Sequence, residues 1–234
     1  MTSIQHFFSG RIRLVGLFAA LLLVCTGCFD IKEEITLQKN GSGTYVMSVD
    51  MTGLMSMMES MGGGATEGVP DPMHAMDSTM EVQAEAMRGL KGVSKVSHKR
   101  EGYVITYSYD FENFDALNEA SELNNAGGGM GTESFTQGVK YNWTSKSFER
   151  VTPDIQALLG EQDEETKSAM DMMKMFLGEA KFTLIYHLPG PAKKVSSKTA
   201  QISGDKRTVT QEMKLLDMME GNESGDLKIS FKAR

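Results

Sequence analysis

FDIKEEITLQKNGSGTYVMSVDM, residues 29–51, is the stretch from which the fold is read. Ile31, Ile35 and Leu37 share one face of an extended strand, where side chains alternate with a period of two. Glu33 falls on that same face, so the alternation is imperfect at its start. Asn40-Gly41-Ser42-Gly43 supplies turn residues, and Tyr45, Met47 and Val49 alternate after it. This pattern predicts a β-hairpin.

Downstream, the same grammar recurs. VSKVSHK, a turn at Arg100-Glu101-Gly102 and YVITYSYDF predict a second hairpin over residues 93–111. Residues 133–151 alternate around Val139, Tyr141 and Trp143, then Phe148, and read as one long or bent strand. KFTLIYHLPGP, residues 181–191, reads as a strand ended by Pro189-Gly190. KTAQISGDKRTVTQEMKL pairs two strands across Ser203-Gly204-Asp205-Lys206, and DLKISFKA, residues 226–233, is a last alternating strand.

Helices are expected between the hairpins. Residues 52–92 form a Met-rich helical insert: TGLMSMMESM, a Gly/Pro break in GGGATEGVPDP, then a capping box at Ser78-Thr79-Met80-Glu81. Met80, Ala84, Met87 and Leu90 share one helical face behind that box. Residues 113–124 read as a helix with Phe114, Leu117 and Ala120 inward. Thr152-Pro153 starts a short helix ending at Gly160, and residues 163–178 form another, with acids in its first turn and Gly178 at its end. The expected class is α+β: an antiparallel sheet of hairpins with several helices packed mainly on one face.

Upstream of Phe29 the chain is different. Arg11 and Arg13 precede an apolar run, LVGLFAALLLVC, over residues 14–25, and no acid appears before Asp30. A membrane-spanning helix needs about 20 apolar residues, whereas this run has the length of a signal-peptide core. Cys25 and Cys28 are the only cysteines. C-x-x-C can be a redox or zinc motif, but here there is no βαβ pattern and no second Cys pair, and Cys25 lies inside the apolar run.

Cys25-Thr26-Gly27-Cys28 resembles a bacterial lipobox, in which small residues precede a lipid-modified cysteine. The resemblance implies that Cys28 carries diacylglycerol and becomes the acylated N-terminus. Cys25 stands where lipoboxes usually have Leu. It fits worse as the modified residue, because Leu23 and Val24 would occupy the small positions. Several acyl chains make anchoring stable, since each buried CH₂ contributes about 0.8 kcal/mol. The expected organisation is a lipoprotein signal peptide over residues 1–27 and a single extracytoplasmic α+β domain over 28–234. The hairpin then starts almost at the anchor, and no thiol remains for a disulfide, catalysis or metal. The acids after Cys28, at Asp30 and Glu33-Glu34, read as polar strand positions rather than a sorting signal. Periplasmic face and outer surface therefore both remain open.

The lipobox, the hairpin with NGSGTYVMSVDM and the late LPGPAKKVSSKTAQISGDKRTVTQEM together resemble the LppM-like bacterial lipoproteins. That resemblance covers about a third of the chain, mostly its two ends. It implies an extracytoplasmic α+β domain that binds lipid and is not an enzyme. The Met-rich insert has no counterpart in it.

The chain has 234 residues, 40% apolar and 24% charged, as expected of a globular fold. Its net charge of −7 becomes −9 without residues 1–27, which carry two arginines and no acid. That balance opposes non-specific nucleic-acid binding. No G-x-S-x-G, Walker motif, H-E-x-x-H or G-x-G-x-x-G is present. His98 and His187 lie in expected strands with no acid or nucleophile at a motif spacing, and His74 lies in the insert. Ser203-x-x-Lys206 matches a serine–lysine pattern but sits in a hairpin turn. Glu33-Glu34 and Glu164-Glu165 read as a strand surface and a helix start. No enzyme activity and no cofactor are expected.

Methionine is the anomaly, at 19 residues. The leading reading is core filling, since unbranched thioethers fit irregular gaps between helices and sheets. The second is an adaptable apolar groove for a lipid or partner segment. The third is soft-metal capture, Cu(I) on Met73, His74 and Met76. The expectation is a membrane-anchored cell-envelope lipoprotein with a non-enzymatic binding role, its partner a lipid or an envelope protein. The alternatives are Cu(I) binding and a purely structural envelope role.

Overall fold

Alternation in the quoted stretch builds strand β1 (Asp30–Leu37), which buries Ile31, Glu33, Ile35 and Leu37 and turns Asp30, Lys32, Glu34 and Thr36 outward. The computed structural model describes residues 29–60, 72–124, 138–153, 174 and 177–232. Strand β2 (Gly43–Asp50) returns antiparallel to β1, from Leu37↔Gly43 to Asp30↔Asp50. The turn between them needs glycine at Gly41, whose φ is +86° and whose missing Cβ would lie 3.0 Å from Trp143 Nε1. The far end of the hairpin is thereby seated on Trp143.

The chain continues through α1 (Thr52–Ser60), α2 (Pro72–Arg88), β3 (Val93–Glu101), β4 (Val104–Phe111) and α3 (Phe114–Asn124). Next come β5 (Lys140–Thr144), β6 (Ser147–Val151), β7 (Lys181–His187), β8 (Ala192–Val195) and β9 (Gln201–Ile202). Then β10 (Thr208–Lys214), α4 (Leu215–Met219) and β11 (Leu227–Phe231) complete it. The strands form two sheets. The larger has the order β3-β4-β2-β1-β7-β10-β9, and the smaller β5-β6-β11-β8.

This is α+β, with three corrections to the sequence reading. The large sheet is mixed, because β1 pairs with β7 in parallel, from Asp30↔Lys181 to Thr36↔His187. Residues 133–151 do not hold one bent strand. Within the described part, β5 and β6 form a hairpin that turns at Ser145-Lys146, with pairing from Thr144↔Ser147 to Lys140↔Val151. The helices are not gathered as a layer on one face. Much of the cover over β1 and β7 is the second sheet, with the Phe148 and Tyr186 ring centroids 4.7 Å apart. Helix α2 packs on β3 and β4, and α3 on β5 as well as β3 and β4. Strand β8 and helix α4 lie where no element was expected. The expected helices over 152–160 and 163–178 fall almost wholly outside the described residues.

The core runs between the sheets and under α2 and α3. Ile31, Ile35, Phe148, Phe182, Leu184, Tyr186, Val209, Ile229 and Phe231 are all at most 1 % exposed. Burying one such side chain contributes about 1.5–3 kcal/mol. Ala84 and Met87 of the expected α2 face are buried, and Met80 and Leu90 pack beside them. The Tyr107 hydroxyl donates to the Met87 sulfur. Leu117 and Ala120 of α3 are buried, with Phe114 packed against the core, as their spacing predicts. Asn118 fastens α3 to β5, donating to the Tyr141 carbonyl at 3.0 Å and accepting from its N–H at 2.8 Å.

The described methionines mostly fill this core. Met51, Met87, Met213 and Met218 are buried, and Met47, Met55, Met80 and Met219 pack against the core. Irregular contacts between helix and sheet are where a flexible thioether fits best.

Candidate functional site

Register fixes which polar groups meet on the outward face of the large sheet. Asp30 of β1 stands between Asp50 of β2 and Lys181 of β7, and Lys181 is opposite Lys214 of β10. One row further in, Lys32 stands between Ser48 and Thr183, and Thr183 is opposite Glu212. These two rows line a cleft of about 470 Å³ bounded by Asp30, Lys32, Ser48, Asp50, Lys181, Thr183 and Glu212, with Val104 at one side.

The charges in the cleft are already partly engaged. Lys181 Nζ lies 2.9 Å from Glu212 Oε1, and that hydrogen bond raises the lysine pKa. Asp30 Oδ1 accepts from the Lys181 backbone N–H at 3.3 Å. Partial burial raises the Asp30 carboxyl above its ordinary value, against the opposing pull of that hydrogen bond. Asp50 Oδ1 accepts the Thr52 N–H at 2.9 Å, so it holds the start of α1. The cleft thus offers two ammonium groups, three carboxylates and two hydroxyls. It suits a ligand carrying both charge signs. Among the described residues neither His nor Cys lines it.

The inner face of the same strand holds the opposite arrangement. Glu33, which breaks the apolar alternation, is fully buried, as is Arg150 of β6. Arg150 Nε and Nη2 donate to the Glu33 carboxylate at 3.2 Å, and Tyr186 Oη donates to it at 2.8 Å. Arg150 Nη1 donates to Thr152 Oγ1 at 2.6 Å and to the Gly225 carbonyl at 3.1 Å. Its guanidinium also lies over the Phe182 ring, 5.6 Å from the centroid. Burial, the largest single influence, works against the charge on Arg150, but Glu33, Tyr186 and Tyr141 together more than offset it and the guanidinium pKa is raised. Burial likewise pushes the Tyr45, Tyr109, Tyr141 and Tyr186 hydroxyls up, so these phenols stay neutral. Reading Glu33 as a surface position is therefore corrected: it pins one sheet to the other.

The structure brings acids to the histidines that motif spacing left alone. His98 of β3 has a side chain 7 % exposed, with Nε2 3.1 Å from Asp77 and Nδ1 3.3 Å from Glu81. These groups, with Ser78, Val82 and Arg100, line a depression of about 510 Å³ between α2 and β3. Asp77 and Glu81 are one helical turn apart, so both reach the same imidazole. Arg100 lies 4.0 Å from Asp77 and opposes binding of a second cation there. Among the described residues no group of His, Cys, Asp and Glu could hold a metal ion. This cluster fastens α2 to the edge strand. His187 Nε2 lies 2.8 Å from Glu34 on the outward face of the large sheet.

Of the other residues singled out from the sequence, Cys28 and Glu164-Glu165 lie outside the described residues, as do the side chains of Met73 and Met76. His74 is exposed on α2. Ser203 Oγ donates to Asp205 at 2.6 Å and accepts from the Thr208 N–H at 2.9 Å, the bonds of a turn. Among the described residues no helix is long and apolar enough to cross a membrane.

No family model matches the chain, and no curated protein matches it. A solved structure does. The chain is similar to the NMR structure of the folded domain of Mycobacterium tuberculosis LppM, with a TM-score of 0.42 and 10% identity, over 89% of this chain and 92% of that one.

Proposed function

We propose that this is a membrane-anchored cell-envelope lipoprotein with a non-enzymatic binding role, held by acyl chains on Cys28. Its partner is a lipid or an envelope protein. One observation carries the reading. Strand β1 begins at Asp30, two residues after Cys28, and its outward face lines a mixed-charge cleft at that same end. The lipobox resemblance and the apolar run at 14–25 supply the anchor. The described lining pairs ammonium with carboxylate, Lys181 with Glu212, and such a half-exposed pair can give up its partner to a charged ligand.

Two measurements test the two halves. Radiolabelled palmitate is expected in the wild-type chain and absent from Cys28→Ser; label that survives the substitution overturns the anchor. Protein purified from native membranes is then extracted for mass spectrometry and probed for cross-linked envelope proteins. A recurrent lipid or a recurrent cross-linked partner is the expected result. Repeated recovery of neither overturns the binding role.

A further inference from the structure

The register of the large sheet says which end of the domain lies nearest the anchor. Strands β1 and β7 start at that end, with Asp30 and Lys181, and β2 and β10 finish there, with Asp50 and Lys214. The turn between β3 and β4, at Gly102-Tyr103, lies at the same end because Val104 pairs with Asp50. Cys28 precedes Asp30 by two residues, a reach of about 7 Å at full extension. Phe29 between them is already buried, and its carbonyl accepts the Lys181 N–H at 3.2 Å. A lipid-modified Cys28 therefore leaves almost no tether and keeps this end of the domain within reach of the headgroups, where its own surface decides whether it lies against them or tilts away.

The surface held there carries charges of both signs in separate groups. In the end row the acids Asp50 and Asp30 stand side by side next to the lysines Lys181 and Lys214, and one row further in Lys32 and Glu212 flank Thr183. An acidic half beside a basic half suits an ammonium on one side and a phosphate on the other, the two charges of a zwitterionic phospholipid headgroup. Helix α1 starts at Thr52, two residues past the end of β2, the strand that pairs with β1. It is tied to the same end by the Met51 N–H on the Tyr103 carbonyl at 3.0 Å and by the Tyr103 hydroxyl on Glu59 at 2.8 Å.

We propose that the β1-start end of the large sheet, with the cleft at Asp30, Lys32, Lys181 and Glu212, is a seat for a zwitterionic phospholipid bilayer that fixes the orientation of the domain. The inference rests on Cys28 being the lipid-bearing residue. It adds a second contact to the acyl chains, and it sets the Gly41 turn and Trp143 at the end away from the membrane.

The test uses full-length lipidated protein reconstituted into phosphatidylcholine–phosphatidylethanolamine vesicles. Single cysteines replace exposed Thr52 at the near end or exposed Lys39 at the far end, and each carries a fluorophore. Strand β1 separates the two ends by about 25 Å. With nitroxide on the lipid headgroups, the Thr52→Cys label is expected to lose most of its emission and the Lys39→Cys label to keep it. Equal emission from both labels in palmitate-labelled protein overturns the seat while leaving the anchor intact. Absence of palmitate overturns the anchor instead. The double reversal Lys32→Glu/Lys181→Glu is expected to relieve quenching at Thr52, with the circular-dichroism spectrum unchanged. Quenching undiminished in that folded variant overturns the cleft as the seat.

Discussion

The two faces of strand β1 treat charge in opposite ways. Inward, Glu33 meets one arginine and one tyrosine, with no exposure for either charged partner. Outward, one row away, Lys181 and Glu212 pair at 2.9 Å with side chains 43 % and 57 % exposed. The inner pair has lost its water and depends on every hydrogen bond being made, so breaking it strands a charge. The outer pair keeps its water and can exchange a protein partner for a ligand at little cost. Charge near the middle of the sandwich thus serves architecture, while charge on the open face is available for binding.

The sharpest way to break this contrast is Arg150→Leu. It leaves Glu33 buried without its cation and is expected to cost about 3–5 kcal/mol, read from denaturant unfolding followed by Trp143 fluorescence. Trp143 stacks on Phe114 at 5.4 Å, so its emission reports the closed sandwich. Adding Glu33→Leu to that variant is expected to recover most of the loss, because the stranded charge is then gone. Less severe is Gly225→Ala. A Cβ there would lie 2.4 Å from Arg150 Nη1 and 2.9 Å from Thr152 Oγ1, so the arginine must shift. The expected loss is about 1–3 kcal/mol, measured the same way.

On the open face the effects shrink. Lys181→Ala should cost no more than about 1 kcal/mol of stability, so that any fall in ligand or bilayer contact reflects the cleft itself. A loss as large as that of Arg150→Leu would erase the distinction between the faces. The smallest effect concerns Asp30. Because burial raises its carboxyl pKa, the folded state holds the proton more tightly than the unfolded chain. Stability therefore falls as pH rises through the carboxylate range, and the penalty persists at neutrality. Asp30→Asn is expected to melt slightly above the parent at pH 7, with the gap closing below about pH 4. Paired thermal melts across that range check it.

Local pattern made the hairpins legible. Alternation in 30–37 and 43–50, with turn residues between, placed β1 and β2, and the 3.6-residue spacing of Met80, Ala84 and Met87 found the buried face of α2. What local pattern does not carry is strand order. The parallel β1–β7 pair joins segments 151 positions apart, and nothing in either strand names the other. The β5–β6 turn at Ser145-Lys146 has neither Gly nor Pro, so the hairpin reads as one strand. The buried ion pair did leave a trace. Glu33 interrupts an apolar face, and Arg150 follows buried Phe148 at the same period in β6. Two opposite charges on two apolar faces mark a pair only once the faces are known to meet. The cleft left less, because it is assembled from single residues of separate strands that coincide through register.

The place of β1 at the centre of the large sheet also sets a sequence of events. Among the described strands it is the first made, and β2 and β4 can join one side of it early. Its other side waits for β7, so its hydrogen-bonding groups stay unpaired until the chain has been made through His187. An open edge of this kind recruits strands from other molecules, and pairings this distant in sequence form slowly. The nascent chain must therefore be shielded for most of its synthesis, and a truncation before residue 181 leaves an aggregating fragment rather than a smaller domain.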